Sequence, residues 1–190
     1  MLVRLTMIRS GATPATRKGA FPLDEPLEPR AHGLAAAAGA GLRRADRVLT
    51  SPTLRARQTA EAMSLQASIE PLLADQDHGR WAGKSVEAVH ADDPDGIAAW
   101  LADPDAAPHG GESLADVSRR ASAFMDRLMV EHGRTIAVTH ASVIRAAIVH
   151  VLGAPLVACR KIDVEPLSVT EFSSDGRRWM LRVAMSEKAD

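Results

Sequence analysis

Tyrosine is absent, phenylalanine and tryptophan number three each, and aromatics make up 3% of the 190 residues. That scarcity argues against a base-stacking platform for single-stranded nucleic acid. Cysteine occurs once, at Cys159, so no intramolecular disulfide can form and a reducing, cytoplasmic setting is expected. Charge of neither sign prevails: 23 Lys and Arg stand against 24 Asp and Glu, a formal net charge of -1. This balance supplies no overall field for nucleic acid or an anionic membrane, although it hides where individual arginines gather. Long apolar runs are missing too. Leu2–Ile8 is broken by Arg4 and Thr6 and is too short for a signal peptide or a membrane span. No Cys/His cluster has metal-ligand spacing, so no metal or other cofactor is expected. No G-x-G-x-x-G follows the first strand, which leaves a Rossmann-type nucleotide binder without support.

What is present suits a soluble globular protein, with 46% hydrophobic and 25% charged residues. The length fits a single domain spanning residues 1–190. Residues 2–8 read as a short buried strand stopping at Arg9-Ser10-Gly11, followed by an irregular Pro-containing loop to about Arg30. Gly33–Arg44 has strong helix propensity, weakened near its end by Gly39 and Gly41. Arg47–Thr50 is a second strand, after which Ser51-Pro52 reads as an N-cap with proline at the first helical position. Pro and Gly punctuate residues 68–112, with a short helix expected over Pro94–Leu101. Residues 76–112 therefore read as an insertion or lid. Ser113–His132 carries Leu114, Val117, Ala121, Phe124 and Leu128 at helical spacing, with Ser113 as the cap. Thr135–Thr139 reads as a strand, Ala141–Leu152 as a helix, and Leu167–Phe172 with Trp179–Val183 as a hairpin. Alternating strands and helices predict a three-layer α/β/α sandwich on a mainly parallel sheet.

Three of these strands end in polar residues: Arg9-Ser10, Ser51 followed by Arg55, and His140. Ligands of open parallel sheets bind beyond the carboxyl ends of the strands, so these endings should converge. Two guanidinium forks, an imidazole and a helix start describe an oxyanion site. Arg9, Arg55 and His140 are the expected phosphate contacts, with Arg57 assigned to the solvated face. Asp75, in an irregular loop, reads as a turn cap.

Met7-Ile8-Arg9-Ser10-Gly11-Ala12-Thr13 resembles the Arg-His-Gly signature of the histidine phosphatase superfamily, which includes the cofactor-dependent phosphoglycerate mutases. The stretch from Thr50 to Ala60 is similar to the family's second arginine motif, with Arg55 at the phosphate-binding place. Asp75, before Gly79-Arg80-Trp81-Ala82-Gly83, matches the family's acidic proton donor, a role that needs burial or a neighbouring anion to keep it protonated. Gly110-Gly111-Glu112-Ser113 and Val138-Thr139-His140 with Val143-Ile144-Arg145 complete the series in the family's order. The resemblance implies a phosphoglycerate mutase-like fold and phosphatase ancestry through a phosphohistidine, with a small phosphorylated molecule or phosphate as partner. It sets neither the substrate nor the oligomeric state.

Two positions depart from the pattern. His78 stands where an aromatic is common, and Ser10 stands where the nucleophilic histidine is expected. A serine hydroxyl needs a base, for which His140 is the obvious candidate, and a phosphoserine ester is not labile as a phosphoramidate is. Three readings stay open: a phosphomonoester binder that has lost turnover, an active phosphatase using Ser10 or a water placed by His140 and Asp75, and a serine introduced into an active parent. The catalytic candidates are Ser10, Asp75 and His140.

Overall fold

Alternation of Val3, Leu5 and Met7 with Arg4, Thr6 and Ile8 builds the middle of the sheet, because successive side chains of a strand point to opposite faces. A computed structural model describes residues 2–183. In it, β1 (Val3–Arg9) lies between β4 (Gly133–Thr139), which runs parallel to it, and β5 (Val169–Ser174), which runs antiparallel. With β2 (Arg47–Thr50), β3 (Ser68–Ile69) and β6 (Trp179–Arg182), the order is β3-β2-β4-β1-β5-β6. The four strands from β3 to β1 are parallel, and the β5–β6 hairpin closes one edge, as expected.

Helices cover both faces. On one, α6 (Leu114–Glu131) and α7 (Ala141–Leu152) bury Val117, Phe124, Leu128 and Ala147 against Val3, Leu5, Met7 and Ala137. On the other, α2 (Pro29–Gly39) and α3 (Leu54–Ala62) set Ala35, Ala56 and Ala60 against Ile8, Ile136 and Val138. Each large side chain buried in this way contributes about 1.5–3 kcal/mol. Ser113 caps α6 as expected, in a capping box with Asp116.

Some boundaries moved. The second helix starts at Pro29 rather than Gly33, because proline suits a first helical position. It stops at Gly39, where any Cβ would sit 2.8 Å from the Met63 backbone. The loop before it holds a further turn of helix, α1 (Pro14–Lys18), capped by Thr13. Ser51-Pro52 does not open α3; Thr53 immediately precedes it, which leaves the Ser51 hydroxyl for another use. Residues 76–112 carry α4 (Val86–Asp92) and α5 (Pro94–Ala102), packed around Phe21, Trp81, Ile97 and Trp100. Cys159 is buried against Leu114 and Val149, and burial pushes its thiol up. No described helix is long and apolar enough to cross a membrane.

Candidate active site

Because β2, β4 and β1 are neighbours running the same way, their carboxyl ends deliver Ser51, His140 and Ser10 to one rim of the sheet. Ladder bonds carry past the strand ends: Ser10 N–H donates to Thr139 O at 2.8 Å and Ser51 N–H to Val138 O at 2.9 Å. The first turn of α3 adds Arg55, whose side chain is buried.

The Arg55 guanidinium is fully engaged on one side, donating to Leu23 O at 2.9 Å and to Asp75 Oδ2 at 2.7 Å. The other Asp75 oxygen accepts from Ser142 Oγ at 2.7 Å and from the Gln76 N–H at 2.9 Å. Behind this carboxylate stands His140, 3% exposed, with Nδ1 3.5 Å from Asp75 Oδ2. Its Nε2 meets Ser51 Oγ at 2.8 Å and Thr53 Oγ1 at 3.1 Å. The loop presenting Asp75 is pinned by Arg120 of α6, which donates to the carbonyls of Leu72, Ala74 and Asp75 and to both Glu112 oxygens.

Burial alone would push the Asp75 carboxyl up, but His140, the Arg55 guanidinium and the Ser142 hydroxyl reverse that and hold it well below the usual carboxylate range. Burial pushes His140 down to about 4; Asp75 opposes this and Arg55 reinforces it. At neutral pH the site therefore presents a carboxylate beside a neutral imidazole. A phosphate arriving on Arg55 would bring a second negative charge against Asp75 and raise its affinity for a proton.

Ser10 is 5% exposed and its hydroxyl makes no hydrogen bond among the described residues. Both His140 nitrogens face other partners, so the imidazole is not poised as a base for Ser10. Arg9 is half-buried and donates to Val164 O. Burial and then Arg145 lower its pKa, while Asp75 lies near enough to raise it. The structure thus gathers Arg55, Asp75 and His140 into direct contact and sets Ser10 and Arg9 beside them without a hydrogen bond to the group. Arg57 is exposed, as expected. Ser51 is legible in the sequence only as a polar strand ending, and Thr53, Ser142 and Arg120 carry no sequence pattern that marks them as site residues. The hydroxyl-rich run between β2 and α3, which holds Ser51 and Thr53, also suits a helix cap. His78 lies 4.8 Å from the Phe21 ring and 5.6 Å from His109, with Nδ1 buried and unpartnered, and burial lowers its pKa.

Residues 5–186 match the histidine phosphatase superfamily (branch 1), and the chain belongs to that family. A bifunctional protein of Mycobacterium tuberculosis is 33% identical over 137 residues, which is 68% of this chain but 38% of that protein. Phosphoserine phosphatase 1 of Hydrogenobacter thermophilus is 30% identical over 140 residues, covering 70% of this chain and 66% of the relative. The chain therefore aligns with less than two thirds of either relative's length. Among solved structures, mycobacterial glucosyl-3-phosphoglycerate phosphatase superposes with a TM-score of 0.84 at 26% identity, covering 96% of this chain and 98% of the other. That protein has also been solved with inorganic phosphate.

Proposed function

We propose that this chain binds a small phosphomonoester at the rim formed by Arg9, Arg55 and His140, and that turnover through a phosphohistidine is impaired because Ser10 holds the nucleophile position. The observation that carries the reading is the occupied state of the anion pocket. Arg55 and Ser142 already grip a carboxylate beside His140, so the pocket is preorganised for negative charge. A phosphoryl group bound there takes over charge-assisted hydrogen bonds that Arg55 and Ser142 now give to Asp75.

The chemistry beyond binding depends on three groups. Arg55 and Arg9 would neutralise the phosphoryl oxygens. Asp75, protonated once the phosphate raises its pKa, would donate to the leaving oxygen. A nucleophile has to attack in line, and Ser10 is neither deprotonated nor hydrogen-bonded to a base. Ser51 has a base partner in His140, but it is fully buried and no substrate reaches it. Residues 76–112 serve as a wall over the site, tied to the Arg55-binding loop by the Ala20–Ser85 bridge and to the body by Arg160 stacked on Trp100 at 4.8 Å. The phosphatase relatives support a phosphate ester as ligand.

Phosphate calorimetry on the parent chain and on Arg55→Ala tests the binding half. Hydrogen bonds to charged groups are worth about 1.5–3 kcal/mol each, so the variant should bind about ten- to a hundredfold more weakly. Equal affinities would remove Arg55 from the site.

A further inference from the structure

The near-zero net charge of the chain conceals a second, strongly cationic cavity at the opposite end of the sheet. Helices α2 and α3 cover their face of the sheet only around Ile8, Ile136 and Val138. Towards the amino end of β1 that face is open and forms the floor of a cavity of about 740 Å³, walled by Gly41–Ala45 after α2. Arg4, Arg134 and Arg182 rise from the floor, Arg43 and Arg44 from the wall, and Glu171 is the one carboxylate lining it among the described residues. Among the described residues, five guanidinium groups thus face one negative charge, in a chain whose formal net charge is -1.

Arg43, Arg44, Arg134 and Arg182 are exposed and Arg4 is half-buried, so these groups are open to an incoming ligand, and two details favour an anion. Arg4 and Arg134 are register partners on adjacent parallel strands, and both line the cavity. Like charges side by side on neighbouring strands destabilise a sheet, and an anion between them removes that cost. Secondly, the guanidiniums of Arg4, Arg43, Arg44 and Arg134 make no hydrogen bond or ion pair among the described residues. Arg182 reaches Glu171 only at 3.7 Å.

We propose that this cavity binds a small anion carrying two or more phosphate groups. Arg134, Arg4 and Arg182 stand on β4, β1 and β6, three strand spacings from first to last, so the charge extends over about 14 Å. A single phosphate cannot reach all of them, whereas a phosphate chain can. The volume lies in the range of small-molecule sites, and the enclosing wall favours a compact anion over a nucleic-acid backbone. The site is separate from the rim described above. Arg4 and Arg9 are five residues apart on one strand, about 17 Å, so the proposal stands without the phosphomonoester reading.

Calorimetry with sodium tripolyphosphate provides the test. Arg55→Ala serves as the background, so that binding at the rim is suppressed. There, triphosphate should bind one site, more weakly as salt rises and at least about tenfold more tightly than orthophosphate. Adding Arg4→Gln and Arg134→Gln should weaken it about tenfold or more, while raising the melting temperature of the ligand-free protein. Arg43→Gln with Arg44→Gln, on the exposed wall, should weaken it without touching the sheet. Unchanged affinity in both pairs of variants overturns the proposal. So does an oligonucleotide that binds through these arginines more tightly than triphosphate, which would make the surface a backbone-binding one.

Discussion

Replacing Asp75 with asparagine removes the negative charge that Arg55 and Ser142 hold in the pocket while keeping an oxygen to accept from them. If the pocket is an anion site filled by its own carboxylate, a dianion entering it must overcome repulsion from Asp75. At an effective dielectric of about 20, two unit charges about 5 Å apart repel by about 3 kcal/mol. Half or more of this should survive local relaxation, because the Asp75 side chain is only 18% exposed. Sulfate, which stays dianionic across neutral and mildly acidic pH, should therefore bind Asp75→Asn about ten- to a hundredfold more tightly than the parent at pH 7. In the parent, affinity should rise as pH falls, since the bound dianion favours protonation of Asp75. Titration calorimetry reads both effects, and a thermal melt confirms that the variant is folded. Weaker sulfate binding by a folded Asp75→Asn would mean that Asp75 holds the pocket open rather than filling it.

The other predictions concern stability. Arg120→Ala, which unpins the Asp75 loop from α6, should cost about 2–4 kcal/mol in urea unfolding and speed hydrogen exchange over residues 72–76. Phe124→Ala, at the centre of the larger core, should cost about 3–5 kcal/mol by the same measurement. His140 is pushed from its ordinary 6.5 down to about 4 in the folded protein, so the unfolded chain binds the extra proton between those values. Stability should therefore fall by about 3 kcal/mol as pH drops from 6.5 to 4, and His140→Gln should flatten that slope. Asp75, also depressed, adds a further loss below its ordinary 3.8.

Most of the elements are legible in the sequence because their signals are local. The apolar alternation of Leu2–Ile8, the period of Leu114 to Leu128 and the polar residue after each strand specify elements and the rim they share. Arg55 and His140 follow from that rim, whereas Asp75 is legible only through the family motif. The two-residue β3 was not visible, since Ser68 and Ile69 are both exposed and show no burial pattern. Ser51 reads equally as a cap, and only the register of β2 against β4 turns its hydroxyl onto His140. Arg120 pins Asp75 across 45 residues of sequence. The arginine cavity draws on β1, β4, β6 and the loop after α2, and no window of the sequence brings those together.

The proposed loss of turnover rests on Ser10 standing where the family's nucleophilic histidine is expected. The direct measurement is hydrolysis of p-nitrophenyl phosphate by the parent chain beside Ser10→His, with acid quenching to trap a phosphoenzyme. The parent should turn over slowly or not at all. Ser10→His should gain activity by orders of magnitude and yield an acid-labile phosphoenzyme, with Arg9, Arg55, Asp75 and His140 in the proposed roles of holding and protonating the phosphoryl group. A parent chain that is already fast, or a folded Ser10→His no more active than the parent, would contradict the account.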